Sequence, residues 1–168
     1  MNLKLEALIA KLELLPHPEG GWYKESYRSS EFISKEGLPE RFSSARNYAT
    51  GIYFLLAGKN FSAFHRIKSD EIWHFYAGCT LNVYVINLDG SLDIIKVGSD
   101  LDKGEVFQAV VKAGFWFASR CAEEDNYSLV GCTVSPGFDF ADFEMAKREE
   151  LIQQYQEHQE IIRELTRI

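Results

Sequence analysis

A chain of 168 residues, 46% hydrophobic and 26% charged, has the make-up of one folded domain, long enough to bury roughly 70% of its unfolded surface. Its formal charge of −7, without a basic stripe, argues against nucleic acid or an anionic membrane as partner. The 14% aromatic share points to a β-rich core or an aromatic-lined cavity.

The first elements follow from hydrophobic spacing. Leu5, Leu8, Ile9, Leu12 and Leu15 recur at helical intervals and predict a helix over residues 1–15, halted by Pro16-His17-Pro18. Glu19-Gly20-Gly21 reads as a turn, since the Lys and the Ser or Thr that a phosphate loop needs are missing. Residues 22–28 read as the first strand, with Glu19, Glu25 and Arg28 as a solvated rim cluster, and residues 29–44 as a polar loop.

A series of short strands follows, over residues 47–57, 61–67, 71–76, 80–88, 92–97, 108–111, 115–119 and 127–134. Asp89-Gly90 is a strong hairpin signal between two of them. Strands this short, at near-regular intervals, indicate a sandwich or barrel rather than a parallel sheet. Pro136-Gly137 turns the chain after the last strand, with Phe138 and Phe140 packed beneath. The chain then reads as helical over residues 142–166, where Leu151, Tyr155, His158, Ile162 and Leu165 form one apolar stripe and His158 is a packing residue. The expected organisation is one domain over residues 1–168, with the barrel in residues 22–140.

Cys79, Cys121 and Cys132 show no Cys-x-x-Cys spacing, and Cys79 is expected buried and inert. With no signal-peptide pattern and no run of membrane-spanning length, the expected location is cytoplasmic, with reduced thiols.

The stretch from His65 to Gly78 carries the chemistry. Alternation groups Phe61, Ala63, His65 and Ile67 on one face, and Glu71, Trp73 and Phe75 on another, with His74 turned away from Glu71. The turn Lys68-Ser69-Asp70 brings His65 and Glu71 together among apolar neighbours, where an imidazole and a carboxylate are costly unless partnered or at work.

His65-x-Ile67, three residues, Glu71, six residues and Gly78 resembles the first motif of the cupin superfamily, in which two histidines, a glutamate and a glycine recur at this spacing. Here Ile67 replaces the second histidine. The second motif is matched by residues 112–117, which keep Gly114 and place Phe117 where a histidine would stand. The phrases Pro16-His17-Pro18-Glu19-Gly20-Gly21, Ser62-Ala63-Phe64-His65-Arg66, Asp70-Glu71-Ile72-Trp73-His74 and Ser135-Pro136-Gly137-Phe138-Asp139-Phe140 are similar to a single-domain cupin branch of uncharacterised function, over nearly the whole chain. The resemblance implies an all-β fold, a cupin-like double-stranded β-helix (jelly-roll barrel) with short N- and C-terminal helices, pairing through strand edges as a homodimer.

Metal-dependent cupins hold iron, manganese, nickel or zinc with imidazoles and a carboxylate, and such ions want three or more donors. This chain offers His65 and Glu71 at the matching positions, so no cofactor is predicted. A divalent metal on that pair, completed by His74 or Gln108, defines the alternative of a metal-dependent oxygenase or isomerase. Without metal, His65 is the expected base, Glu71 its orienting carboxylate and a strand tyrosine (Tyr53, Tyr76 or Tyr84) the acid, by analogy with sugar-nucleotide epimerases of related architecture. The expected function is binding of a small polar or carbohydrate-like molecule by Tyr53, His65, Glu71, Trp73, Gln108 and Phe117, with isomerase- or epimerase-like turnover. A non-catalytic ligand sensor or scaffold, in which His65 and Glu71 merely pin two strands, is the other alternative.

Overall fold

The computed structural model describes residues 3–167, with side chains from Leu5 onward. Helix α1 (Leu3–Leu12) packs Leu5, Leu8, Ile9 and Leu12 against the sheet beneath it. It is shorter than expected: residues 1 and 2 lie outside the described residues, and Glu13 takes a left-handed φ of 53°. Leu15, constrained away from helical geometry by the following proline, instead begins a two-residue strand and is exposed.

The strands are β1 (Leu15–Pro16), β2 (Trp22–Arg28), β3 (Phe32–Ile33), β4 (Arg46–Asn47), β5 (Thr50–Ala57), β6 (Phe61–Arg66), β7 (Asp70–Gly78), β8 (Leu81–Ile86), β9 (Leu92–Val97), β10 (Gln108–Val111), β11 (Trp116–Cys121), β12 (Tyr127–Ser135) and β13 (Glu144–Met145). A six-stranded sheet runs β1-β2-β5-β12-β7-β10 and a five-stranded one β13-β6-β11-β8-β9, with antiparallel pairing within both. The pair β3–β4 stands apart, inside the segment expected to be loop.

Three apolar layers follow from alternation. Phe54, Trp73, Val130 and Cys132 of the larger sheet meet Val83, Val85 and Phe117 of the smaller one in the central core. The outer face of the larger sheet is covered by α1. The outer face of the smaller sheet packs Phe64, Tyr84, Trp116 and Ala118 against Leu151, Ile162 and Leu165. Those last residues lie on or beside α2 (Arg148–Gln154) and α3 (Gln159–Glu164), which share the C-terminal segment with a 3₁₀ turn at Gln156–His158. The helical segment is therefore broken rather than continuous over 142–166, and His158 uses the break to place Nε2 2.7 Å from the Gly90 carbonyl of the β8–β9 hairpin.

Candidate functional site

Between the sheets lies a cavity of about 480 Å³, within the range of small-molecule sites. Tyr23, Phe54, Trp73, Phe138, Phe140 and Phe143 give it aromatic walls, and its buried polar groups are His17, Glu19, Thr50, His65, Glu71 and Cys132.

A β-bulge in β6 sets the geometry. Phe117 of β11 stands opposite His65, and Ser119 opposite Ser62, so Ala63 and Phe64 together face one residue of the partner strand. Simple alternation fails at this point. Ser62 and His65 both turn inward, while Phe61, expected inside, packs on the outer side with the Arg167 guanidinium 4.3 Å above its ring.

The bulge frees main-chain groups of Ala63 for the site. Its N–H donates to the Glu19 carbonyl at 2.9 Å, and its C=O lies 2.7 Å from His65 Nδ1. A carbonyl only accepts, so Nδ1 carries the proton and Nε2 of the neutral ring is a bare lone pair. That Nε2 is 3.1 Å from Glu19 Oε2, while the Ser62 hydroxyl donates to Glu19 Oε1 at 2.8 Å. One proton must lie between imidazole and carboxyl. Burial pushes His65 down to about 4, against the opposing bond to Ala63, and pushes Glu19 up despite His17 and Ser62. Both shifts favour a carboxylic acid donating to a neutral imidazole.

His17 completes this corner. Its Nδ1 accepts the Glu19 N–H at 3.3 Å and stands 3.5 Å from Glu19 Oε2; burial lowers its basicity, with the Glu19 charge opposing. The ring packs edge-on against Tyr23 at 4.5 Å.

Glu71 lies on the other wall, and it is not the ion-pair partner of His65. Burial first, then the charge of Glu19, push its carboxyl up to about 8, while a hydrogen bond from the Cys132 thiol opposes. Burial and the nearby carboxyls likewise hold that thiol well above its usual range, so it is an unreactive one. Beside them Trp73 is buried, and its indole N–H has no hydrogen-bond partner among the described residues. At the mouth Arg28 grips Glu25 through two bonds, of 2.9 and 2.7 Å, and also donates to the Phe138 carbonyl.

Of the residues singled out from sequence, His65, Glu71 and Trp73 line the cavity. Phe117 stands behind His65, ring centroids 4.1 Å apart, as a packing residue. Tyr53 is on the opposite face of the larger sheet, beneath α1, because inward positions of β5 fall on Ile52, Phe54 and Leu56. Gln108 is also outside: Ala109 and Val111 take the inward places on β10, and Gln108 donates to His74 Nδ1 on the outer face, where His74 Nε2 contacts Thr133. Tyr84 packs under the C-terminal helices and Tyr76 is half exposed, so the cavity's tyrosine is Tyr23. Sequence reasoning missed His17, Tyr23 and Cys132 and placed Glu19 on a solvated rim, where in fact it is buried; Glu25 and Arg28 do form that rim pair. The only sequence signal for His17 and Glu19 was the Pro16–Gly21 phrase itself, whose first half was read as a helix stop and whose second half as a turn.

The residues present do not fit a cupin metal. Ile67 and Phe117 offer no donor, both His65 nitrogens are engaged, and among the described residues no group of three or more His, Cys, Asp or Glu is arranged to hold an ion.

Two antiparallel sheets closed around an inward-facing His and Glu define a jelly-roll cupin. The same fold is seen in oxalate decarboxylase from Bacillus subtilis, at a TM-score of 0.55 and 15% identity, over 89% of this chain and 36% of that one. Residues 6–146 match the family Cupin_5, described as cupin superfamily (DUF985), and the chain belongs to it. It is similar to protein SO0799 from Shewanella oneidensis, at a TM-score of 0.87 and 40% identity over 96% of each chain. A hypothetical protein from Leishmania major is similar at a TM-score of 0.86 and 35% identity, over 97% of this chain and 98% of that one. The uncharacterized protein YML079W of Saccharomyces cerevisiae is 34% identical over 155 residues, which span 87% of this chain and 77% of the yeast protein.

Proposed function

We propose that this chain binds a small, uncharged, oxygen-rich molecule of carbohydrate-like size in the inter-sheet cavity and moves a proton on it without a metal, in isomerase- or epimerase-like acid–base chemistry. The observation that carries the reading is the 3.1 Å contact between His65 Nε2 and Glu19 Oε2, inside an aromatic cup. Ring faces suit the C–H surfaces of a sugar-like ligand. Neutral ligands are favoured because burial disfavours the charged form of Glu19 and Glu71 and the mouth guanidinium is already neutralised by Glu25.

The base in this scheme is the His65–Glu19 dyad: Glu19 passes its proton to Nε2 and the carboxylate so formed takes the proton from the ligand carbon, while the Ala63 carbonyl keeps the His65 ring in one tautomer. Glu71, protonated at neutral pH, is the acid. Tyr23 replaces the strand tyrosines in that neighbourhood.

The test is a panel of neutral monosaccharides and their lactones, screened by saturation-transfer NMR and then incubated in D₂O. A binder whose carbon-bound proton exchanges with solvent, with exchange slowed about 100-fold or more in His65→Ala and Glu71→Gln, supports the scheme. A ligand bound equally well by His65→Ala, with no exchange in any form, would reduce the chain to a sensor or scaffold. No binder in the panel would sink the substrate class.

We also infer a homodimer. Strand β10 ends the larger sheet with one edge unpaired among the described residues, beside exposed Phe107 and Val110.

A further inference from the structure

A second cleft, of about 440 Å³, abuts the cavity, and Ile67 and Phe143 are walls of both. Its polar lining is cationic in a chain of net charge −7: Arg41, Arg66 and Lys68 face Asp142 and Glu144. Asp142 cannot neutralise that set. Both its oxygens are committed, at 2.6 Å each, to the buried guanidinium of Arg46 behind the cleft, and Lys68 reaches it only at 3.5 Å. Glu144 offsets Arg66 through one bond of 2.7 Å. Arg41 donates Nε to the Lys68 carbonyl, at 2.7 Å, and has no carboxylate within ion-pair distance among the described residues. At the rim, Asp70 and Lys112 pair at 3.0 Å and cancel. Five cations (Arg41, Arg46, Arg66, Lys68 and Lys112) thus share three carboxylates (Asp70, Asp142 and Glu144): Lys68 shares Asp142 with Arg46, and Arg41 acts on the Asp70 already paired with Lys112, on a segment tied to Lys68 by a hydrogen bond.

We propose that this cleft is a binding site for a phosphate-like dianion, held by the Arg41 guanidinium and the Lys68 ammonium. That excess of two positive charges calls for two negative ones, and guanidinium forks match tetrahedral oxyanions in geometry. Arg66 supplies a third donor group once the anion competes with Glu144. Because Ile67 and Phe143 are walls of both spaces, the anion can be free phosphate or the phosphoryl end of a longer molecule. The site stands independently of the proton chemistry assigned to the neighbouring cavity.

The experiment is calorimetric titration of the full chain with inorganic phosphate at low ionic strength, on wild type, Arg41→Gln/Lys68→Met and His65→Ala. Saturable binding is expected in wild type, weakened tenfold or more in the double variant, unchanged within twofold in His65→Ala, and falling with added salt. Both altered side chains are at least partly exposed, so the double variant is expected to fold; its far-ultraviolet circular dichroism is the check. If it does not fold, Lys68→Glu alone serves, with loss of binding expected. Binding that survives the substitutions, or that disappears in His65→Ala, places the anion elsewhere and overturns the proposal, as does no saturable binding at millimolar phosphate. A sugar phosphate competing tenfold more tightly than phosphate identifies the phosphoryl group of a larger ligand; equal competition identifies the free anion.

Discussion

His65 takes its carboxyl partner from Glu19, on the segment ahead of the first long strand, and not from Glu71 across the same cavity. The arrangement gives one imidazole and two acids distinct duties. Glu19 shares the proton at Nε2, whereas Glu71 keeps its own, since burial above all resists its ionisation. Pairs of titratable groups driven apart in this way are what acid–base sites require.

The first prediction concerns pH. Glu71 titrates at about 8 when folded, against 4.5 as the ordinary value. Between those values the folded chain keeps a proton that the unfolded chain has lost, so stability falls as pH rises. His65 acts oppositely: its folded value of about 4, against 6.5, means stability present above 6.5 is lost as pH falls toward 4. The two slopes oppose each other from 4.5 to 6.5, and from 6.5 to 8 that of Glu71 continues without His65. Urea denaturation of wild type and Glu71→Gln should therefore diverge across pH 6.5 to 8, with wild type losing up to about 1.4 kcal/mol per pH unit relative to the variant. Parallel curves would show that Glu71 ionises normally.

Gly20 holds the Glu19 loop against β6 with φ at 118°, and a Cβ there would strike the Phe61 carbonyl and the Arg167 guanidinium. Gly20→Ala is expected to lose about 1–3 kcal/mol of stability, together with the ligand affinity that depends on Glu19. Gly104, at φ 74° with nothing near its Cβ, is the control: Gly104→Ala should cost only about 1 kcal/mol and leave binding intact.

Metal removal should change nothing. Protein purified without an affinity tag is expected to carry well under one equivalent of iron, manganese, nickel or zinc, and dialysis against a chelator should leave Tm where it was. A stoichiometric ion would contradict the donor set described.

The Arg46–Asp142 pair is buried and doubly bonded. Arg46→Leu leaves a carboxylate in the interior with only the 3.5 Å contact to Lys68, and a loss of about 3–5 kcal/mol is expected in urea. Adding Asp142→Leu should restore much of it, a coupling that a double-mutant cycle reads directly.

Light scattering tests the pairing of chains. Val110→Glu, on the unpaired edge strand, should convert a dimer to a monomer without lowering Tm by more than a few degrees. Identical masses for both proteins would remove β10 from the interface.

Most of the barrel was legible because strands with one partly wet face alternate. Residues 92–97 and 108–111 match β9 and β10, and Glu71, Trp73 and Phe75 do share the inward face of β7. Tyr53 was not legible, since β5 is covered on both sides and its apolar run gives no phase. Gln108 could have been placed by its neighbours, as Ala109 and Val111 mark the inner positions. Glu19 was out of reach: its partners His65 and Ser62 lie far along the chain, and no local periodicity connects a glycine-rich turn to a distant strand.

The extra residue in β6 has a consequence for how this fold can drift over evolutionary time. The anchors of the imidazole and of the Glu19 loop are an amide and a carbonyl of Ala63, which every amino acid except proline provides in full. What the dyad demands at that point is therefore a count of residues more than a choice among them. Excising one residue there would leave the inward and outward assignments of the strand intact, because the pleat would simply become regular, yet both tethers would vanish. The site is vulnerable to an indel that hydrophobic patterning would pass as harmless.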